Sequence, residues 1–194
     1  YYPMYNAETT DAASLATNSF GQNFNVNMMQ LASAFASLIN GGYYYQPHIV
    51  KKILDDNGNT VQNIEPLLLK QTVSKQTSDK LRGYLYRTVS EGTGKSAKVE
   101  GYSMGGKTGT AEKGDRTEDR YIVSFIGFAP ADNPQVLLYI VIDEANVAKE
   151  KQSSALATAI AKEIFTELLP YLNIFPDETT PDSEPTEGSE GEEN

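Results

Sequence analysis

Cysteine is absent from these 194 residues, which excludes disulfides, thiolate metal sites and a cysteine nucleophile. Histidine occurs once, as His48, so neither a histidine-based triad nor a multi-histidine metal site can be assembled. His48 precedes Ile49 and Val50 on an expected strand and is read as structural. No metal and no cofactor is expected. No basic stripe runs along any segment, which argues against a nucleic-acid partner. No apolar run is long enough to be a signal-peptide core or a membrane span. The opening Tyr1-Tyr2-Pro3-Met4-Tyr5 has neither a start methionine nor a helix cap, and the expectation is a piece of a longer protein.

Acidic charge is plentiful but confined. Eight acids and no bases stand between Asp177 and Asn194, and taking those eight from a net charge of -10 leaves -2 for the rest. A Pro/Thr/Ser/Gly-rich acidic stretch without apolar residues does not recover its ordering entropy. Residues 176–194 are therefore expected to be a flexible acidic tail behind a single domain over 1–175. The hydrophobic content of 39% is ordinary for a folded core.

Along the chain, residues 1–24 read as polar and irregular. Asn25-Val26-Asn27 offers caps for a helix whose face is Met28, Leu31, Ala32, Phe35, Leu38 and Ile39, closed by Gly41-Gly42. Tyr43 to Tyr45 and Pro47 to Leu54 look extended, and Asp55-Asp56-Asn57-Gly58-Asn59 is a hairpin turn into a return strand over 60–64. Thr77 or Ser78 would cap a second helix with Leu81, Tyr84, Leu85, Thr88 and Val89 on one face, stopped by Gly92 and Gly94. Two β-branched and aromatic runs, 121–128 and 136–142, flank a Pro/Asn/Asp turn and read as a long antiparallel hairpin. The last helix is expected from Glu150 to Leu169, with Leu156, Ile160, Ile164, Phe165 and Leu168 on its face and Pro170 ending it. This order predicts an α+β fold, an antiparallel sheet with a packed C-terminal helix.

The segment Met104 to Glu112 carries the chemistry and allows two readings. Gly101, Gly106, Lys107 and Thr108 satisfy the phosphate-loop pattern, which needs a buried strand before it and a helix directly after it. The polar stretch 94–100 and the turn-rich stretch 113–119 supply neither. The other reading is the KTG element, Lys107-Thr108-Gly109, on a glycine-rich strand that a ligand backbone can approach at a sheet edge.

Further stretches occur with it in a fixed order. They are Ser19-Phe20-Gly21-Gln22, Asn40-Gly41-Gly42, Pro47-His48-Ile49-Val50-Lys51, Glu91-Gly92-Thr93-Gly94, Gly101-Tyr102 and Gly106-Lys107-Thr108-Gly109-Thr110-Ala111. Over residues 15 to 170 the chain resembles the C-terminal part of the transpeptidase domain of class B penicillin-binding proteins, the cell-wall cross-linking enzymes of division, elongation and sporulation. The resemblance implies a penicillin-binding/β-lactamase-like transpeptidase fold and peptidoglycan D,D-transpeptidase activity on stem peptides. It further implies sensitivity to β-lactam antibiotics and a place on the outer face of the cell membrane among other cell-wall and division proteins. It puts Lys107 at the active-site floor, aiding proton relay and favouring anions. Thr108 and Thr110 would bind the ligand carboxylate through their hydroxyls, and the Thr110 N–H would be half of an oxyanion hole. Gly109 would leave room for the ligand backbone, and Glu112, where the family commonly has Gln, would make the cleft mouth more acidic.

The family attacks with the serine of SxxK and uses that of SxN, and no serine here has Lys three residues on or Asn two residues on. Tyr171-Leu172-Asn173 mimics the YxN variant, but it follows KTG instead of preceding it. The resemblance thus implies that the nucleophile, the other half of the domain and the membrane anchor lie upstream, and that this chain alone is inert. Another departure is Asn23, where the family usually has Gly. Three other functions compete with the transpeptidase. One is a non-catalytic module of the same fold that binds peptidoglycan or a protein, and another is a nucleotide binder using the phosphate loop. A β-lactamase shares KTG but is disfavoured, because no Glu-bearing loop stands in the expected place.

Overall fold

The computed structural model describes residues 10–19, 21, 25–114, 116–146 and 150–178. Its centre is an antiparallel sheet in the order β5-β6-β7, formed by Gly105–Glu112, Tyr121–Ala129 and Val136–Asp143. The long hairpin of the sequence is therefore present, with the KTG strand β5 against it and at a sheet edge. The register sets Lys107 opposite Ile126, Thr108 opposite Phe125 and Gly109 opposite Ser124. Opposed residues share a face, so Lys107 and Gly109 lie on one side of the sheet and Thr108 and Thr110 on the other.

The central strand β6 supplies the core of both faces. On the Phe125 side packs helix α4, Ala155–Tyr171, which buries Ala157, Ala161, Phe165 and Leu169 completely. The sequence pattern placed this helix's inner face on Leu156, Ile160, Ile164, Phe165 and Leu168. Of these only Phe165 is fully buried, and Ile160 and Ile164 are 41% and 38% exposed. The alanines face inward because they let the helix come close to the sheet, where a Cβ on Gly127 would stand 3.4 Å from the Phe165 ring. The helix also starts later than Glu150, which has φ of 58°, and it runs through Pro170 to Tyr171 with the Leu172 N–H on the Leu168 carbonyl.

On the Phe128 side lie α2, Met28–Ile39, and α3, Lys75–Ser90, with Phe35 tilted against Phe128 at 6.2 Å between ring centres. Asn27 caps α2 in a reciprocal capping box with Gln30. At its other end Gly41 and Gly42 take φ of 95° and 96°, the left-handed turn that glycine adopts without strain. Ser74, not Thr77 or Ser78, caps α3, accepting from the Thr77 N–H. Ser78 instead joins the two helices: its hydroxyl donates to the Leu38 carbonyl and accepts from the Gly41 N–H. Tyr84, expected inside, is 65% exposed.

A short helix and a strand among the described residues escaped the sequence reading. The helix α1, Ala12–Asn18, is capped by Asp11. Strand β4, Leu68–Gln71, pairs with β1, Tyr43–Tyr45. Between them the hairpin β2–β3, Lys52–Leu54 and Thr60–Asn63, is closed by Asp55, whose carboxylate accepts from the Asn57 and Asn59 amides.

Candidate active site

Strand β5 is built for close approach. Gly106 and Gly127 oppose each other, and the Phe125 ring lies across both, so that a Cβ at Gly106 would stand 2.6 Å from the ring. On the other face a Cβ at Gly109 would stand 2.6 Å from Ser124 Oγ. The Tyr139 hydroxyl, on the same face as Ser124, has its pKa pushed up by burial and drawn partly back by the Ser124 side chain.

Lys107 is exposed, and its ammonium donates to the Thr108 carbonyl at 2.8 Å. In an antiparallel strand the N–H and C=O of one residue point the same way and alternate along the chain. A carbonyl within reach of an exposed side chain on an edge strand is on the open side, and Thr110, two residues on, directs its N–H there as well. Thr108 Oγ lies 3.1 Å from Thr93 Oγ, and Thr110 Oγ donates to the Gln152 carbonyl at 3.0 Å. Glu112 is exposed at the end of the strand, opposite Tyr121.

The loop beyond Glu112 is held by charge. The Lys113 ammonium meets Asp143 at 3.0 Å and Glu144 at 2.7 Å, and Arg120 meets Glu144 and Glu118 at 2.7 and 2.8 Å. The guanidinium of Arg120, with Lys113 beside it, draws the Glu144 carboxyl down to about 2. On the far side of the loop Lys151 reaches Asp119 at 3.4 Å. His48 is exposed, with Nδ1 3.4 Å from the Gln46 carbonyl, and no three metal-ligating side chains gather among the described residues.

The phosphate-loop reading fails on this geometry. After Thr108 the chain continues as strand to Glu112, and no helix N-terminus opens where phosphates would sit. The four KTGT residues adjoin because they share a strand. Thr93, Ser124 and Gln152 were given no role by the sequence. Only Thr93 carried a signal, the glycines on either side of it.

Residues 5–166 match the family described as penicillin binding protein transpeptidase domain. Stage V sporulation protein D of Bacillus subtilis is 38% identical over 177 residues, spanning 89% of this chain and 27% of that protein. A probable peptidoglycan D,D-transpeptidase PenA of Neisseria flavescens is 31% identical over 165 residues, spanning 83% and 38%. Among solved structures, penicillin-binding protein 3 of Mycobacterium tuberculosis complexed with ampicillin superposes with a TM-score of 0.75 at 26% identity, over 94% of this chain and 42% of that one. The chain thus spans about a quarter to two fifths of the length of these curated relatives.

Proposed function

Because the chain belongs to the transpeptidase-domain family of class B penicillin-binding proteins, we propose that it supplies the carboxylate-binding and oxyanion half of a peptidoglycan D,D-transpeptidase. The nucleophilic serine would come from the upstream part of the longer protein. Its oxygen attacks the penultimate D-Ala carbonyl of a stem peptide, D-Ala leaves with a proton, and an amine of a second stem peptide takes over the acyl group. A β-lactam would acylate the same serine by ring opening.

The observation that carries this reading is the open edge of β5. Lys107 is exposed there beside the Thr108 carbonyl, and the Thr110 N–H points to the same edge. The Lys107 ammonium and the Thr108 hydroxyl would hold the ligand carboxylate, and Lys107 would ease proton movement at the serine. The Thr110 N–H would face the developing oxyanion, where a donor contributes about 2.7–4 kcal/mol. Thr108 and Gly109 would contact the ligand, and Glu112 would set the charge at the cleft mouth. Ampicillin bound to the related protein supports β-lactams as ligands. Residues 179–194 of the expected acidic tail lie outside the described residues, and we read the extracytoplasmic face of the membrane, with other cell-wall proteins, as the site of action.

Labelled penicillin added to the longer protein that carries this chain tests the proposal. The expected result is a covalent adduct on a serine outside residues 1–194, forming at least about 100-fold more slowly in Lys107→Ala. A folded protein that forms no adduct would leave only a non-catalytic module of the same fold.

A further inference from the structure

The two hydroxyls of the KTGT strand differ in what their single proton is doing. A hydroxyl has one hydrogen to donate and two lone pairs, whereas a carboxylate or a backbone carbonyl only accepts. Thr110 Oγ donates to the Gln152 carbonyl. While that bond stands, Thr110 has no proton for an anionic ligand. Thr108 Oγ faces another hydroxyl, that of Thr93, 3.1 Å away, and either oxygen can be the donor. If Thr93 donates, the proton of Thr108 is free for a third group, and the chain of bonds polarises that proton outward.

The loop that carries Thr93 is fixed. It leaves α3 with the Gly92 N–H on the Arg87 carbonyl at 3.1 Å and the Gly94 N–H on the Thr88 carbonyl at 2.9 Å. Gly94 is buried against Val89 and Phe125, where a Cβ would stand 3.3 and 3.4 Å from their side chains. A Cβ on Gly92 would come to 3.0 Å from the Thr88 carbonyl. The flanking glycines therefore let the loop fold flat over the end of α3, and the exposed Thr93 is carried to β5. Phe125, on which Gly94 rests, is the residue opposite Thr108 in the sheet.

We propose that Thr93 is a positioning residue for the ligand carboxylate. It donates to Thr108 Oγ and thereby commits the Thr108 proton to the anion. This rests on the carboxylate-binding role proposed for Thr108.

The test uses the longer protein that carries this chain and compares acylation rate constants for benzylpenicillin and for its methyl ester, which lacks the anion. The ratio of acid to ester rates should fall about 5- to 10-fold in Thr93→Val, the loss of one hydrogen bond's net contribution. It should hold near the parent value in Thr93→Ser, which keeps the hydroxyl. Thr108→Val should lower the ratio at least as far, and adding Thr93→Val to it should lower it no further. Thr93→Ala is measured alongside, so that a misfolded Val variant still leaves an answer. Equal losses on acid and ester in Thr93→Val and Thr93→Ala would mean a loop anchor only and would overturn the proposal. A low ratio in Thr108→Val with an unchanged one in both Thr93 variants would overturn the Thr93 role alone. A parent protein that is not acylated at all would overturn the functional reading and this one with it.

Discussion

Gly109 has a neighbour that limits it independently of any ligand. A Cβ there would stand 2.6 Å from Ser124 Oγ but 4.0 Å from Ser124 Cβ. In Gly109→Ala the serine hydroxyl has to swing out of the way, at a cost of about 1 kcal/mol. Removing that hydroxyl first removes the conflict. Urea unfolding of the transpeptidase domain should therefore show Gly109→Ala destabilising the parent but costing much less in a Ser124→Ala background. Equal costs in the two backgrounds would refute the contact. Lys107 through Thr110 were legible in the sequence because a short motif carries its own spacing. Ser124 was not, since what makes it matter is a cross-strand register that places it opposite Gly109, and no linear pattern states a register.

At the level of elements, periodicity found every long helix and the long hairpin, and it failed where size and burial part company. In α4 the large residues Ile160 and Ile164 point outward and Ala157 and Ala161 inward, so a reading that follows hydrophobic bulk rotates the helix. Phe165 is where the expected face and full burial agree. It is fully buried among Phe125, Ala157, Ala161 and Leu169. Phe165→Ala should cost about 3–5 kcal/mol, the transfer loss plus the cavity left under the sheet. Chemical denaturation measures it, and a loss below about 1 kcal/mol would show that α4 can collapse onto the sheet without it. The cap of α3 was displaced for a related reason. Ser74, Thr77 and Ser78 are all plausible caps by type, and only the packing of α2 shows that Ser78 is already engaged with Leu38 and Gly41. Strand β4 went unread because its four residues are exposed and acquire strand geometry only from β1, more than twenty residues earlier.

Across the whole molecule, charge works as a set of clasps between distant parts of the chain. Asp177 accepts from the Ser103 N–H and hydroxyl, just before the KTG strand, and Glu178 accepts from the Tyr86 hydroxyl while pairing with Lys98. Composition alone assigned both acids to a solvated tail, because their partners lie some 70 to 90 residues upstream. The second clasp is Glu144, which ties the loop after β5 to the end of β7 through Arg120 and Lys113. Its pKa in the folded chain is about 2, well below the ordinary 4.5. A carboxyl depressed by folding adds stability that is complete above its unfolded value and is lost as pH falls towards the folded one. The melting temperature of the parent should therefore exceed that of Glu144→Gln by a constant margin from pH 7 down to about 5. That margin should shrink below about 4.5 and close near 2. Because the pairs are exposed, it should also narrow with added salt at neutral pH. A margin that stays level from pH 7 to 2 would mean that Glu144 acts through packing, and the clasp on the loop beside the site would then have to be sought in Lys151 and Asp119.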